Sequence, residues 1–387
     1  MSLRVLHLNS LLTGGGTDDQ CVKLALGLRQ LGQHVWIAGP DGRECSRIIR
    51  EPGMPFHVTP PEGPLKWNFI SAAARFIRHE KIQIVHGHHG RDLWPTIVAA
   101  RLSGVRPKIV LTRHLAKSPS SWFSRRFLLS QCEALIAVSQ FVARVLREGV
   151  YEPDSPEPER RARPPLRGDR SKIHVIYGGI DTERFRPLPP EAPEVQARRR
   201  AWGLTADNYA FAVAGGYDAP RGKGQREFLQ AAAQIHRQVP QARFLIVGRG
   251  NLEAVLRADI ARLGLAGKAW LTGPCADMPV GMNALDCLVH PQVGTEALGL
   301  VLCEAFACGR PVIASELDGI PEAFAVGHEG RLVPPEDIGA LADALRACAQ
   351  APRLSEVGRS QLHGRMIEGF SLATSARKIL GLYRSLL

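Results

Sequence analysis

The chain has 387 residues, 45% of them hydrophobic, with a mean hydropathy of −0.08 and a formal net charge of +12. At roughly 100 to 200 residues per domain, this length predicts two domains with ample core. The composition excludes a membrane-spanning protein, because no apolar run approaches the ~20 residues that a bilayer requires.

The first predicted element is the strand RVLHLNSLL, in which apolar residues largely alternate with others. The opening residues lack the basic region, the long apolar stretch and the cleavage site of a signal peptide. We therefore expect a soluble, cytoplasmic protein.

Three consecutive glycines, Gly14, Gly15 and Gly16, follow this strand and precede a helical pattern. Glycines at such a place let the backbone approach a ligand, and a helix N-terminus can receive a phosphate. The dinucleotide fingerprint is not matched, because Asp19 occupies its last glycine position, and no P-loop motif occurs. A plain tight turn remains the alternative to a phosphate-binding loop.

Strands alternate with helical patterns through the first part of the chain. Such a series predicts a parallel sheet wrapped by helices, with ligands bound at the carboxyl ends of the strands. The predicted elements are the strands RVLHLNSLL, HVWIAG, IQIVHGH and KIVLTRH and the helices DDQCVKLALGLRQLG, NFISAAARFIRHE and TIVAARLSG.

Histidines stand at the ends of two of these strands. His86, His88 and His89 belong to the first group, and His114 ends the next strand. Clustered histidines could bind a metal, but a credible site needs carboxylate or thiolate companions, and only Asp92 is near. The pattern therefore favours hydrogen bonding at the strand ends.

The segment SPSSWFSRRFLLSQ combines apolar residues and two arginines at a spacing compatible with an amphipathic helix. Such a helix can rest at the headgroup boundary of an anionic membrane. The alternative is that the apolar side chains belong to the core of the domain. The residues concerned are Trp122, Phe123, Phe127, Leu128, Arg125 and Arg126.

Residues 152–172 are rich in proline and charge, which predicts an exposed linker. Residues 1–171 hold 25 lysines and arginines against 15 aspartates and glutamates, whereas residues 172–387 hold 24 against 22. This asymmetry suggests that an acidic surface or substrate meets the first half. Ordinary solubilising charge is an equally good explanation.

A second series of alternating strands and helices follows the linker and predicts a second doubly wound domain. Two such domains would place the ligand in the cleft between them. The elements are the strands KIHVIYGG, YAFAVAGG, ARFLIVGRG, AWLTG, DCLVHPQ and PVIAS, and the helices REFLQAAAQIHRQ, LEAVLRADIARLG, the one around Glu304, and FSLATSARKILGLYRSLL.

The second domain carries two groups of candidate site residues. Arg221 and Lys223 lie in a glycine-rich loop after a strand, where cations suit phosphate binding. Glu296 and Glu304 are eight positions apart, and Gly299 between them indicates a loop that enters a helix. Both carboxylates would then face a ligand at that helix N-terminus. A solvated surface loop is the alternative reading for the two cations.

The eight cysteines form no C-x-x-C pair and no His/Cys ligand spacing. They are typical of reduced thiols and predict neither a disulfide framework nor a zinc site.

The stretch TEALGLVLCEAFACGRPVIAS resembles the E-x7-E signature of retaining glycosyltransferases of the GT-B fold, known as family 4. The usual form of that signature is close to E-G-F-G-L-x-x-L-E-A-M-A-C-G-x-P-V-I-A-S. Further similar segments occur along the whole chain, among them QLGQHVWIA, EALIAVSQF, VIYGGIDTERFRP and PQARFLIVGRG.

The resemblance implies a GT-B fold, α/β, with two facing Rossmann-like domains. The acceptor-binding domain would comprise residues 1–171 and a C-terminal helix at 371–387 that crosses back to it. The donor-binding domain would comprise residues 172–370.

The resemblance also implies roles for individual residues. Glu304 would bind the ribose hydroxyls of a nucleotide-sugar, and Glu296 would hold the transferred sugar beside its anomeric carbon. Lys223 and Arg221 would balance the charge of the departing diphosphate. His114 would face the donor sugar and, with Glu296 and Lys223, would be catalytic. The remaining donor-binding residues would be Gly15, Gly16, Leu298, Gly299 and Leu300.

The chain departs from the family pattern at several positions. Asp218 stands where the family commonly has an arginine, which makes Arg221 the candidate replacement. Ala297 and Leu298 replace the usual Gly-Phe, so we expect a remodelled sugar pocket. The sequence contains no D-x-D motif, and we expect no metal.

The implied activity is the retaining transfer of a sugar from a UDP- or GDP-sugar to a glycan or lipid-linked hydroxyl, in cell-envelope or lipopolysaccharide biosynthesis. No separate cofactor and no nucleic acid would be needed, and the basic first half would contact the inner face of the cytoplasmic membrane. Two alternatives remain open. One is a nucleotide-sugar epimerase of the same architecture, and the other is a non-catalytic basic protein that binds nucleic acid through its phosphates.

Overall fold

The computed structural model describes residues 2–12, 15–40, 55–59, 67–155 and 158–387. The chain divides into two compact units. The first comprises Met1–Gly179 together with Phe370–Leu387, and the second comprises Ile180–Gly369.

The first unit contains a parallel seven-stranded sheet in the order β3-β2-β1-β4-β5-β6-β9. Its strands are β1 (Arg4–Leu8), β2 (His34–Pro40), β3 (Phe56–Thr59), β4 (Ile84–Gly87), β5 (Lys108–Arg113), β6 (Ala134–Ala137) and β9 (Ile173–Val175). Its helices are α1 (Gly16–Gln30), α2 (Trp67–His79), α3 (Leu93–Leu102), α4 (Trp122–Gln131), α5 (Gln140–Arg147), the short α6 (Pro158–Arg161) and α15 (Leu372–Ser385).

The strands of this sheet are apolar along their length because helices cover both faces. Every residue of β4 and β6 is buried. Serine side chains begin two of the covering helices, since Ser121 accepts a hydrogen bond from the Ser124 N–H and Ser139 accepts one from the Val142 N–H. The core of the unit includes residues of the last helix, α15, as well as residues of α1.

Helix α15 packs against α1, as predicted for a C-terminal helix that returns to the first domain. A side chain at Gly27 of α1 would approach Ala376 to 3.0 Å, which shows how closely the two helices pack. The hydroxyl of Tyr383, on α15, lies 2.6 Å from Nδ1 of His86 at the end of β4. The return of the chain therefore reaches the carboxyl ends of the first sheet.

The units divide between Gly179 and Ile180 rather than between residues 171 and 172. The reason is β9, which the sequence series assigned to the second domain. It pairs in parallel with β6 and forms one edge of the first sheet. An apolar run alone does not show which sheet will accept a strand.

The segment predicted to be an exposed linker, residues 152–172, is in large part folded onto the first unit. It contains α6, half of the hairpin formed by β7 (Val150–Tyr151) and β8 (Ala162–Arg163), and the fully buried Leu166. Arg163 is 1% exposed and donates a 3.0 Å hydrogen bond to Glu152. Its charge is satisfied by an ion pair inside the segment. All the other described residues of the segment except Leu166 are exposed or partly exposed, as the composition predicts.

The second unit contains a parallel six-stranded sheet in the order β12-β11-β10-β13-β14-β15. Its strands are β10 (Tyr209–Ala214), β11 (Ala242–Val247), β12 (Ala269–Gly273), β13 (Cys287–His290), β14 (Val312–Ser315) and β15 (Gly330–Val333). Its helices are α7 (Pro193–Ala201), α8 (Gln225–Ile235), α9 (Glu253–Arg262), α10 (Met278–Ala284), α11 (Leu300–Ala307), α12 (Ile320–Gly327), α13 (Ile338–Gln350) and α14 (Glu356–Phe370).

Both units therefore have the doubly wound topology that the sequence predicts. In each sheet the strand order reverses between the first strand and a later neighbour, β1 and β4 in one and β10 and β13 in the other. Ligands of open parallel sheets bind at such reversals, beyond the carboxyl ends of the strands. Within the described residues, no helix is both long and apolar enough to cross a bilayer.

Candidate active site

A cavity of about 420 Å³ lies in the second unit at the carboxyl ends of its strands. Gly215 follows β10, Gly248 follows β11, Pro274 follows β12 and His290 ends β13, and all four residues line it. The cavity thus occupies the strand-order reversal between β10 and β13, where the topology predicts a ligand.

The N-terminus of α11 forms one wall of this cavity. Gly299 precedes the helix at φ +82°, in the left-handed region that favours glycine, and both Gly299 and Leu300 line the wall. Glu304 lies in the second turn of the helix and Glu296 in the loop before it, and both carboxylates line the same cavity. The first backbone N–H groups of a helix have no partner within it, so this wall suits an anionic ligand.

Lys223 and Glu296 form an ion pair inside the cavity. Their Nζ and Oε2 atoms are 3.0 Å apart, and Nε2 of His290 lies 3.5 Å from the same oxygen. Burial by itself would raise the pKa of Glu296, but the nearby His290 imidazole and the Lys223 charge outweigh it and hold that pKa well below its usual value. Glu296 is therefore ionised across the whole physiological range.

Gln225 fixes the loop that carries Lys223. It is 1% exposed, its Oε1 accepts the Lys223 N–H at 2.7 Å, and its Nε2 donates to the Gly216 carbonyl at 3.3 Å. The side chain thus ties together two parts of the loop that follows β10. The ammonium of Lys223 is placed by this buried amide as well as by Glu296.

Arg221, predicted as a donor-binding residue, is engaged elsewhere. Its Nη2 donates to Glu227 at 3.0 Å and to Glu336 at 2.8 Å. Hydrogen bonding to Glu336 is the largest of the effects that raise its pKa. Arg221 is not among the described residues that line the cavity.

Leu298, also predicted to bind donor, is 3% exposed and packs inside the unit instead of lining the cavity. The structure therefore brings five of the predicted residues of this unit together and leaves two outside. The five that share the cavity are Lys223, Glu296, Gly299, Leu300 and Glu304.

Two of the predicted histidines of the first unit, His88 and His114, form a hydrogen-bonded series with His7 near the carboxyl ends of β1, β4 and β5, whereas His89 lies 3.4 Å from the Asp18 carboxylate. Nδ1 of His7 lies 2.7 Å from Nε2 of His88, and Nδ1 of His88 lies 3.4 Å from Nε2 of His114. His86 uses both of its ring nitrogens, one toward Tyr383 and one toward Thr112. The imidazole of His88 therefore lies between those of His7 and His114 and contacts both.

Burial keeps these histidines neutral. It lowers the pKa of His7 and of His114 to about 3, and it lowers the pKa of His86 and His88 in the same direction. The nitrogens of His7, His86 and His88 lie within 4.8 Å of one another, close enough to ligate one metal ion. Hydrogen bonds already use both nitrogens of His86, both nitrogens of His88 and one nitrogen of His7, which fits the predicted hydrogen-bonding role.

The glycine loop after β1 is described from Gly15 onward, and Gly14 lies outside the described residues. Side chains added at Gly15 or Gly16 would meet nothing within 4 Å, so there is open space beside both. The Gly15 N–H donates to the carboxylate of Asp18 at 3.3 Å. Asp18 is 1% exposed, and its carboxylate thus accepts a hydrogen bond from the backbone at the N-terminus of α1.

Three residues with a part in these arrangements were not identified from the sequence. His7 appears as an ordinary polar position in an alternating strand, Gln225 as an ordinary first helical residue, and His290 as the end of an apolar strand. For His290 the sequence does give a signal, since a polar residue directly at the carboxyl end of a parallel strand faces the ligand edge.

Two families match the chain. The profile described as "Glycosyltransferase Family 4" matches residues 14–154, and the one described as "Glycosyl transferases group 1" matches residues 209–351. The matches fall in the first and the second unit respectively.

Relatives match over most of the chain. It is 39% identical over 351 residues to a phosphatidyl-myo-inositol mannosyltransferase of Mycolicibacterium smegmatis, with 86% of this chain and 80% of the relative covered. It is 26% identical over 381 residues to the lipopolysaccharide core biosynthesis mannosyltransferase LpsB of Rhizobium meliloti, with 96% and 94% covered.

Solved structures share the fold over the full length. A glycosyltransferase from Rickettsia africae gives a TM-score of 0.81 at 20% identity and covers 100% of this chain and 98% of its own. Anabaena HepE in complex with UDP and glucose gives 0.79 at 21% identity and covers 99% and 100%. None of these matches supports an epimerase or a nucleic-acid-binding protein. The chain therefore belongs to the glycosyltransferases of group 1 and family 4, and it is a glycosyltransferase of the GT-B fold.

Proposed function

We propose that the chain transfers a sugar, with retention of anomeric configuration, from a UDP- or GDP-sugar to a hydroxyl of a cell-envelope glycan or glycolipid. The names of the relatives support this acceptor class, since one acts in lipopolysaccharide core biosynthesis and another is a phosphatidyl-myo-inositol mannosyltransferase. The HepE structures that hold UDP support a nucleotide-sugar donor.

One observation carries the proposal: Lys223 and Glu296 form an ion pair next to Glu304, in a cavity at the N-terminus of α11. A nucleotide-sugar presents a ribose, a diphosphate and a sugar in a row. Glu304 would accept hydrogen bonds from the ribose, Lys223 with the helix N-terminus would meet the diphosphate, and Glu296 would hold the sugar hydroxyls.

The chemistry needs charge stabilisation more than a covalent nucleophile. As the bond from the anomeric carbon to the diphosphate breaks, negative charge develops on the leaving oxygen, and the Lys223 ammonium would neutralise it without reorganisation. A leaving diphosphate oxygen would deprotonate the incoming hydroxyl on the same face, which gives retention. Glu296, always ionised, would stabilise positive charge that develops on the sugar ring.

In the first unit we propose that His114 contacts the donor sugar, and that Gly15 and Gly16 let the backbone approach the diphosphate or the acceptor. The neutral state of His114 supports a role as a hydrogen-bond partner for hydroxyl groups. The open space beside the two glycines supports a close approach. For Arg221 we propose no direct contact with the diphosphate, because its charge is balanced by Glu227 and Glu336 and it does not line the cavity.

The test is a thermal-shift series with UDP, GDP and ADP and their sugars. A ligand at about 100 times its Kd stabilises the folded protein by roughly 2.7 kcal/mol, so the correct base should give a clear rise in Tm. If no nucleoside diphosphate raises Tm, the proposed donor site is wrong.

The reaction itself is followed by proton NMR of the anomeric signal, with the matching donor and an envelope glycolipid acceptor. We expect an α-linked donor to give an α-linked product, at an unchanged rate in EDTA. An inverted product would contradict retention, and loss of activity in EDTA would contradict metal independence.

A further inference from the structure

A second cavity, of about 360 Å³, lies at the opposite end of the sheet of the second unit. Asp286, Pro311 and Glu329 line it and directly precede β13, β14 and β15, so the cavity opens at the amino ends of the strands. The proposed donor cavity lies at their carboxyl ends. None of the residues that line the second cavity lines the first.

Four arginines line this second cavity, which we call the arginine cavity. Arg310 is the most informative of them, because it is 9% exposed and its Nε, fully buried, has no hydrogen-bond partner among the described residues. Its Nη2 donates to the Asn283 carbonyl at 2.8 Å, which fixes the guanidinium in place. A buried cation is costly unless a counter-charge lies close to it. The four are Arg310, Arg331, Arg353 and Arg359.

The acidic groups of the cavity do not cancel this charge. Asp286 is buried and accepts from Arg353 at 2.7 Å, and it also pairs at 3.4 Å with Arg199, which lies outside the lining. Glu329 is the other carboxylate of the lining. Arg331 is exposed and makes no ion pair within the described residues, so cationic charge is in excess.

The rest of the wall is apolar. Ile313 and Leu354 line it beside the ring of Tyr209, whose hydroxyl lies 3.1 Å from Sγ of Cys348. Gly309 lets Arg359 pack closely against the backbone at the cavity wall, because a Cβ at position 309 would lie 2.5 Å from the Arg359 side chain. The cavity therefore offers an apolar face and a guanidinium face to one small molecule.

We propose that the arginine cavity is a second ligand site, which binds a small organic phosphate with its phosphate on the guanidiniums and its apolar or ring portion against Tyr209 and Leu354. Its volume falls within the range of small-molecule sites, which are mostly apolar with a few converging polar groups. Guanidinium groups bind phosphate through paired N–H donors, and four arginines line this cavity.

Two cysteines make this proposal testable on the intact protein. Cys348 lines the arginine cavity and Cys275 lines the proposed donor cavity, and both are partly accessible. A hydrogen bond with the Cys287 thiol lowers the pKa of Cys348 despite burial, which favours its reaction with thiol reagents. The other described cysteines are buried, and peptide mapping separates every site.

The experiment measures the rate at which N-ethylmaleimide modifies Cys348 with and without phenyl phosphate. At about ten times its Kd the probe should slow this modification about tenfold, because only the unoccupied fraction reacts. Inorganic phosphate should protect less well and phenol not at all, while the rate at Cys275 should not change. Protection of Cys275 by UDP or GDP reports separately on the proposed donor site.

Arg331→Gln is the matched variant, because Arg331 is exposed and its loss disturbs no ion pair. It should weaken protection by phenyl phosphate several-fold, whereas Arg346→Gln, which changes an arginine of α13 outside the lining, should not. If phenyl phosphate leaves the Cys348 rate unchanged, or phenol protects equally well, the proposal is wrong. If Cys348 reacts too slowly to time, broadening of the phosphorus NMR signal of phenyl phosphate by wild type but not by Arg331→Gln supports the site, and equal broadening contradicts it.

Discussion

Lys223 and Glu296 place opposite charges side by side in the proposed donor cavity. Both side chains are partly accessible, so their 3.0 Å contact adds little to stability. Together with His290, the same contact holds the pKa of Glu296 well below its usual value, and Lys223 lines the same cavity as the start of α11. The pair is therefore better explained by function than by stability.

The first prediction at this scale compares Lys223→Met with Arg221→Met. The first should lower kcat by orders of magnitude, as the loss of a preorganised charge stabiliser does. The second should leave kcat within a few-fold, because the charge of Arg221 is taken up by Glu227 and Glu336. Steady-state kinetics with the donor identified by thermal shift measures both. If Arg221→Met lowered kcat severely and Lys223→Met only mildly, the phosphate contact would have to be assigned to Arg221 instead.

The second prediction separates the two glutamates of the cavity. Glu304→Ala should raise KM for the donor, since a lost hydrogen bond to a charged group costs about 1.5 to 3 kcal/mol. Glu296→Ala should mainly lower kcat, because the charge it supplies matters most as the sugar becomes positive. Initial rates measured over a range of donor concentrations give KM and kcat separately for both variants. Wild-type kinetics in both folded variants would contradict the two assignments.

The structure decides between the two interpretations of helix α4, membrane contact and core packing, for part of its length. Leu128 and Leu129 are buried at 1% and 0% exposure, so the alternative of a core helix is correct for these two residues. Trp122 and Phe123, at its start, remain 61% and 52% exposed. The membrane hypothesis therefore applies only to the exposed residues in the first half of this helix.

Two arginines of this helix differ in the same way. Arg125 donates to the Pro119 carbonyl at 3.0 Å and is partly buried. Arg126 is exposed, with its guanidinium carbon 5.0 Å from the centre of the Phe127 ring. An exposed aromatic pair beside an exposed arginine suits the headgroup region of an anionic membrane.

The third prediction is that the protein co-sediments with vesicles of rising anionic lipid content, less so at high salt. Trp122→Ala with Phe123→Ala should weaken this binding, and Arg126→Glu should weaken it further, since a basic residue near an anionic surface contributes about 1 kcal/mol. Trp67→Ala, at an exposed tryptophan of α2, is the control. Binding that ignores lipid charge or survives these changes would favour an acceptor taken from solution.

At the scale of the whole molecule, buried histidines tie stability to pH. The pKa of His7 is lowered to about 3 from 6.5, so between these values the unfolded chain binds a proton that the folded chain does not. Stability is therefore complete above about pH 6.5 and falls as pH falls toward 3. At pH 5 the loss from His7 alone is about 2 kcal/mol. His86, His88 and His114 act in the same direction.

The fourth prediction is that Tm falls markedly from pH 7.5 to pH 5, measured by calorimetry. His7→Asn should reduce this dependence, whatever its effect on Tm at pH 7.5, because one of the titrating groups is removed. His79→Gln should not, since the side chain of His79 is 82% exposed. Equal pH dependence in His7→Asn and wild type would show that folding does not lower the pKa of His7.

Some features of the candidate site could be predicted from the sequence, and others could not. Residues adjacent in a local motif, such as Gly299, Leu300 and Glu304, could be placed from sequence because one loop and one helix carry them. The Lys223–Glu296 pair spans 73 positions, and the exclusion of Arg221 depends on Glu336, 115 positions away. Spacing along a chain carries no information about such contacts.

The sequence by itself determined the alternation of strands and helices, the number of doubly wound domains and the segment that bears the two glutamates. These follow from local periodicity and from glycines whose backbone few other residues can adopt. Only the tertiary structure decided that β9 joins the first sheet, that Arg163 is buried by pairing with Glu152, and that His7 stands behind His88. The physical reason is that burial, pairing and pKa depend on neighbours distant in sequence, which the packing of the whole unit brings together.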